Sequence, residues 1–94
     1  MDDNEVDTHA WMVFQHSTDT ISLRTALNWM SKVLAREPEW ANGVDTYANL
    51  LYKLGDIAGS LVLEEKAAKL APKHPDIQSN LLKMRNGEPT WPSK

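Results

Sequence analysis

Val6-Asp7-Thr8-His9-Ala10-Trp11-Met12-Val13-Phe14 returns 38 residues later as Val44-Asp45-Thr46-Tyr47-Ala48-Asn49-Leu50-Leu51-Tyr52. Four of the nine positions are identical, and Met12/Leu50, Val13/Leu51 and Phe14/Tyr52 exchange similar apolar groups. A unit that recurs at such a spacing does not bury its apolar face alone; it stacks on its neighbour. The doubling points to a scaffold or binding array before it points to an enzyme.

Working outward, the apolar spacing predicts five helices. The first spans about 6–16, with Val6, Ala10, Val13 and Phe14 on one stripe. Ser17-Thr18-Asp19-Thr20 offers N-cap side chains for a second helix over 21–36, with Leu23, Ala26, Leu27, Met30, Val33 and Leu34 inward. Pro38 ends it. The third spans about 41–54, with Asn42 as cap and Asp45 in the first turn, where the helix dipole favours a negative charge. Gly55 is a left-handed stop and Asp56 caps the fourth helix, 57–70, with Ile57, Leu61, Ala67, Ala68 and Leu70 inward. Pro72 ends that helix, Pro75 opens a fifth that runs to 85, and Gly87 closes it. Nothing alternates with period two, so no strand is expected.

Bulk properties narrow the function. A chain of 94 residues is one domain or a short array, and buries roughly 60–65% of its unfolded surface. With 10 basic and 13 acidic residues it lacks the basic face that nucleic-acid binding needs. It has no Cys, hence no disulfide, thiolate site or redox dithiol of its own. No apolar run is long enough to span a membrane, and the acidic start MDDNEVD is unlike a signal peptide. No Gly-X-Ser-X-Gly elbow or phosphate-cradling glycine loop is present, so no enzyme activity and no cofactor are expected.

Pro38 and Pro72 are 34 residues apart, as are Leu27/Leu61 and Lys32/Lys66. The first helices of the two units are offset by 38, which places four extra residues in the first helix–helix turn, around Ser17–Thr20. A 34-residue helix–turn–helix ending in Pro is the tetratricopeptide period. Residues 41–74 resemble that repeat in Val44, Tyr47, Ala48, Leu51, Ser60, Glu64 and Pro72. Ala48, Ser60 and Ala67 supply the small contacts, and Gly55-Asp56 the turn. In the first unit, Ala10, Ala26, Met30, Val33 and Pro38 match. Glu64 departs from the pattern, standing where an aromatic is usual.

The resemblance implies an all-α, right-handed solenoid of two helix–turn–helix repeats (about 6–38 and 41–72) and a closing helix (75–86). Together these form one domain over 1–87, and residues 88–94 are a tail. A second, narrower resemblance runs through Asp45–Gly55, Glu64-Glu65-Lys66-Ala67, Leu70-Ala71-Pro72 and Gly87-Glu88-Pro89-Thr90-Trp91. These stretches look like the helical C-terminal region of certain bacterial thioredoxin-family proteins. It implies an upstream domain, packing in cis or self-association, and a periplasmic location if the parent is secreted; otherwise the compartment is cytoplasmic.

In tetratricopeptide arrays the first helix of each unit lines a groove. By position that groove would carry Asp7, Thr8, Trp11 and Gln15, then Asp45, Thr46, Asn49, Tyr52 and Lys53, then Ser79, Asn80 and Lys83. Trp11 and Tyr52 would give amphipathic contact area, and Asn49 and Asn80 would bond a peptide backbone. The plainer alternative is that Asp7 and Asp45 merely cap helices and the rest is solvated. Asp7 and Asp45 stand where a carboxylate-gripping clamp of this family needs Lys, so an acidic C-terminus is disfavoured as ligand. The expected partner is a protein or peptide, neutral or basic.

His9 and His16, with Asp2, Asp3 and Glu5 nearby, have the residue types of a metal site. Their spacing is loose, and His9 occupies the position of Tyr47, which argues for packing. His74, between two prolines, reads as surface. Trp29 is expected to pack in part. Trp91 is expected to fold back on the closing helix near Leu81, Leu82 or Met84, capping a terminal face that has no successor.

Overall fold

Side-chain caps decide where several of the helices begin. The computed structural model describes residues 2–92, so Met1, Ser93 and Lys94, the last two belonging to the expected tail, lie outside it. Among the described residues there are five helices and no strand: α1 Asp3–His16, α2 Thr20–Arg36, α3 Ala41–Lys53, α4 Ile57–Leu70 and α5 Pro75–Arg85. The fold is all-α.

α1 begins three residues earlier than its apolar stripe predicts. Asp2 and Glu5 form a capping box: the Glu5 amide donates to Asp2 at 2.8 Å, and the Asp2 amide donates to the Glu5 carboxylate at 3.4 Å. Asp19 caps α2 through the amides of Ile21 and Ser22, and Asp56 caps α4 through Gly59. Two expectations for α3 are corrected. Its N-cap is Trp40, with no side-chain bond, so Asn42 already lies inside the helix and its carbonyl accepts from the Thr46 hydroxyl. Asp45 is therefore past the first turn. The entry is built by apolar packing: a Cβ on Gly43 would stand 2.8 Å from the Trp40 ring, so glycine is needed there.

The expected insertion also takes a different form. Both hairpin connections have the same length, Ser17–Asp19 and Leu54–Asp56. The four extra residues are helical instead: α1 runs one residue further than its counterpart, and α2 is three residues longer than α4 at 17 against 14. Asp19, as a two-bond cap, starts α2 earlier than the apolar pattern requires.

Gly55, at φ 97°, ends α3 with the amides of Gly55 and Asp56 donating back to the carbonyls of Tyr52 and Leu51. Gly87, at φ 71°, repeats the motif after α5, with Gly87 and Glu88 donating to Met84 and Lys83.

α3 is central and touches the other four helices. α1 pairs with α2, α4 with α3 and α5, and α1, α3 and α5 lie in a row. One core gathers Ala10, Phe14, Leu23, Ala26, Met30, Val33 and Leu50; a second holds Val44, Ala67, Ala68, Ile77 and Leu81. Burying side chains such as Leu50 or Ile77 stabilises the fold by about 1.5–3 kcal/mol each. Ala10, Ala48, Ser60 and Ala67 are all wholly buried. Ile57, expected inward, is 45% exposed, because as the first residue of α4 it sits at the hairpin's end.

Candidate functional site

The row of α1, α3 and α5 makes one face of the molecule, and along it runs a groove. Its open half is a cavity of about 390 Å³. α1 contributes Asp7, Trp11 and Gln15, and α3 contributes Asn42, Asp45 and Thr46. Asp76, Ser79, Asn80 and Lys83 come from α5, and His74 from its cap. Of the residues expected on this surface, Trp11, Gln15, Asp45, Asn80 and Lys83 are thus brought together, as are Asp7, Thr46 and Ser79. Thr8 is not: it is exposed and its hydroxyl donates to the Asn4 carbonyl.

Beneath the cavity lies a network of acids and amides. The Asn49 side-chain amide donates to the Asp45 carbonyl at 2.8 Å and to its carboxylate at 2.9 Å. Asn80 donates to the same carboxylate oxygen at 3.3 Å, joining α5 to α3. Neither Asp45 nor Asp7 caps a helix, which removes the plainer alternative for both. The expectation that Asn49 reads a peptide backbone is also corrected: it is wholly buried and its donors are spent on Asp45.

Glu64 of α4 approaches this network from below. It is 0% exposed and neither carboxyl oxygen has a hydrogen-bond partner. Burial first, then the neighbouring Asp45, pushes its pKa up to about 11. At neutral pH Glu64 is therefore a carboxylic acid with a proton to donate. Asp45 is beside it, and the Asn49 side-chain oxygen is buried without a partner. Asp7 is shifted the same way, to about 6: burial raises it, the nearby Thr46 hydroxyl opposes, and the charge of Asp45 adds.

The other half of the groove is closed by the chain itself. The turn at Gly87 sends residues 88–92 back, and Trp91 lands on α1 and α3 as well as on Met84. Its ring centroid is 6.3 Å from Phe14, nearly edge-on, and 6.0 Å from Tyr52. The Tyr52 hydroxyl donates to the Glu88 carbonyl at 2.8 Å. The Lys53 ammonium stands 5.3 Å from the Trp91 ring and 5.5 Å from Phe14, and donates to the Phe14 carbonyl. Burial lowers the Lys53 pKa. Tyr52 and Lys53, expected to face a ligand, are covered by this tail instead. Trp91 does fold back to Met84, but its principal seat is the groove, because Gly87 turns the chain over that end of α5.

His74 is more than surface, since its Nδ1 accepts from the Ile77 amide and caps α5. Of the acids near His9 and His16, Asp2 and Glu5 are used in the capping box and Asp3 pairs with Arg36. Among the described residues no three His, Cys, Asp or Glu side chains group as metal ligands.

Sequence reasoning missed Asn42, His74 and Asp76 as lining residues, because each sits at a helix start beside the repeat's groove positions. It flagged Glu64 as a departure without its partners; the signal was there, since Met30 and Trp11 of the first unit become Glu64 and Asn49 in the second. No helix of the described residues is long and apolar enough to cross a membrane. Compared with known proteins, the chain matches no protein-family model, no curated protein and no solved structure.

Proposed function

We propose that this chain is a protein–protein interaction module: two tetratricopeptide-like helix–turn–helix units and a closing helix, which bind a neutral or basic peptide in the groove of α1, α3 and α5. The observation that carries this reading is the open cavity, walled by Trp11 and set with Asp7, Asp45 and Asp76 against one lysine, Lys83. Such a wall offers an aromatic face and acceptors for a cationic side chain, and repels a carboxylate. The test keeps Asp45 intact, because its carboxylate holds Asn49 and Asn80. Reversing the exposed Asp76 to Lys should weaken a Lys/Arg-containing peptide by about three- to tenfold, as expected for a rim charge. Tryptophan fluorescence, to which Trp11 in the cavity wall contributes, follows the titration. Tight binding of a peptide with an acidic C-terminus to the unmodified chain would contradict the charge argument.

A second reading has its own observation. A largely apolar hollow of about 340 Å³ lies between α1 and α2, lined by Val6, His9, Trp29, Lys32, Val33 and Arg36. Ile21 and Trp29 on α2, and Ile57 and Val62 on α4, are also exposed. Such surface supports a structural domain of a larger, thioredoxin-like protein that packs in cis or on a second copy. Sedimentation of the chain with and without Trp29→Glu tests it; a monomer in both cases removes the self-association arm.

A further inference from the structure

Trp91 is held by the groove in the way a ligand would be. Its seat is made of Phe14 on α1, Tyr52 and Lys53 on α3, and Met84 on α5. We propose that this seat is a binding subsite for an aromatic side chain flanked by proline in a partner peptide, and that residues 88–92 occupy it in cis until the partner displaces them. The proposal deepens the groove reading and rests on it for the partner being a peptide.

Four observations carry it. The seat offers what an indole binds well: two aromatic rings with centroids at 6.0–6.3 Å, the Met84 thioether in the same cluster, and a cation between two ring faces. It also reads backbone, since Tyr52 takes the carbonyl three residues before the indole, at Glu88. The tail fits imperfectly. The Thr90 hydroxyl is buried without a hydrogen-bond partner, and 86–89 are exposed. An occupant that desolvates a hydroxyl for nothing is outcompeted by a sequence that does not. Finally, the seat is continuous with the open cavity. Trp11, which walls the cavity, lies tilted against Phe14, which floors the seat, with ring centroids 4.7 Å apart. A peptide running through both places an aromatic residue against Phe14 and Tyr52 and a basic residue near Asp7 and Asp76.

The tether sets how the partner must compete. A segment of this length behaves as a ligand at an effective concentration on the order of millimolar. Gly87, at φ 71°, is where the tail turns inward. When Trp91 leaves, Phe14, Tyr52 and Met84, each at most 5% exposed with the tail in place, lose their cover, so release is favoured only when another apolar group takes over.

The test needs no knowledge of the natural partner. The full chain carrying Trp91→Ala vacates the seat. A capped synthetic peptide of residues 86–92 is titrated into it and into the unmodified chain, and backbone amide shifts are followed by NMR. The expected result is saturable binding to Trp91→Ala, with shifts at Lys53 and Met84 and at least tenfold weaker binding to the unmodified chain. A control peptide with Ala in place of the Trp should not bind. A folded Trp91→Ala chain that ignores the peptide at millimolar concentration, or binds the control equally, overturns the proposal and leaves Trp91 a structural cap. If Trp91→Ala does not fold, 5-fluorotryptophan in the unmodified chain replaces it. Excess peptide should then move the Trp91 resonance toward the free-peptide value, and an unmoved resonance overturns the proposal. Failure at the seat leaves the Asp76→Lys titration of the open cavity untouched, so the two readings fail separately.

Discussion

The segment 6–14 in α1 and its copy 44–52 in α3 share a motif, identical at four of nine positions, and differ in place, one at the end of the helix row and one at its centre. Position alters what the same letters do. Ala10 and Ala48 are equally buried, and Phe14 and Tyr52 both hold Trp91. Yet Thr8 is exposed where Thr46 is buried, and Met12 is 53% exposed where Leu50 is 0% exposed. A central helix has neighbours on both flanks, so faces that are solvent in the end copy become core in the middle one. The second unit fills part of that extra interior with polar groups. Trp11 and Met30, which share the first core cluster, correspond to Asn49 and Glu64.

The largest expected effect separates the two copies outright. Leu50→Ala should cost about 2–5 kcal/mol, the range for deleting a buried aliphatic side chain. Met12→Ala, at the equivalent exposed position, should stay within about 0.5 kcal/mol. Urea midpoints at constant slope measure both. Similar costs would mean that the copies occupy equivalent environments and the end-versus-centre distinction is false.

Glu64 sharpens the same contrast through pH. Its folded pKa, about 11, lies above the ordinary 4.5, so the native state keeps a proton that the unfolded chain releases. The sign follows: the native state binds more protons, so the stability that Glu64 itself contributes is fully present below about pH 4.5 and is lost as pH rises toward 11. Asp7, shifted to about 6, adds a fall between its ordinary 3.8 and that value. By pH 7 the loss from Glu64 alone amounts to about 3 kcal/mol. Glu64→Gln keeps a donor and removes the titration, so it should stabilise by up to that amount at pH 7 and flatten the curve above pH 6. A variant that is less stable than the parent at pH 8 would show that Glu64 is ionised and needed as a carboxylate.

How much of this was legible in the sequence depends on what kind of force sets each feature. Helix ends governed by glycine and proline were readable to the residue: α4 and α5 fall where Gly55, Pro72 and Pro75 place them. Ends governed by side-chain caps were read unevenly: Asp56 starts α4 where expected, but Asp2 with Glu5 and Asp19 start α1 and α2 before the apolar periodicity appears. The cavity lining was legible in part, since Trp11, Gln15, Asp45, Asn80 and Lys83 do line it. The burial of Asn49 and the cover over Tyr52 and Lys53 were not, because both depend on which helix is central and where a tail past α5 lands. No local pattern encodes either.

Smaller effects test the shared features. Ala10→Leu and Ala48→Leu both insert bulk where a helix passes closely, and each should cost roughly 1–3 kcal/mol by overpacking. Both alanines are 0% exposed, so the costs should be alike. If only Ala48→Leu is costly, the first unit is loose enough to repack, and the equivalence of the two copies holds for sequence alone.

The smallest expected effect lies where the two copies meet, at Trp91. Tyr52→Phe removes the hydroxyl that donates to Glu88, while Phe14, its counterpart, has none to lose. Because the bond is partly exposed, its net worth should be about 0.5–1.5 kcal/mol. That value should depend on the tail. With Trp91 changed to alanine, residues 88–92 lose their anchor, and the Glu88 carbonyl is no longer held over Tyr52. A double-mutant cycle of Tyr52→Phe with Trp91→Ala should therefore show coupling of about 0.5 kcal/mol or more, with the hydroxyl worth little in the alanine background. Additive costs would mean that Glu88 is positioned by the Gly87 turn alone. The indole and the hydroxyl would then act as separate contacts, and the tail's hold on the groove would reduce to the ring contacts of Trp91 with Phe14 and Tyr52.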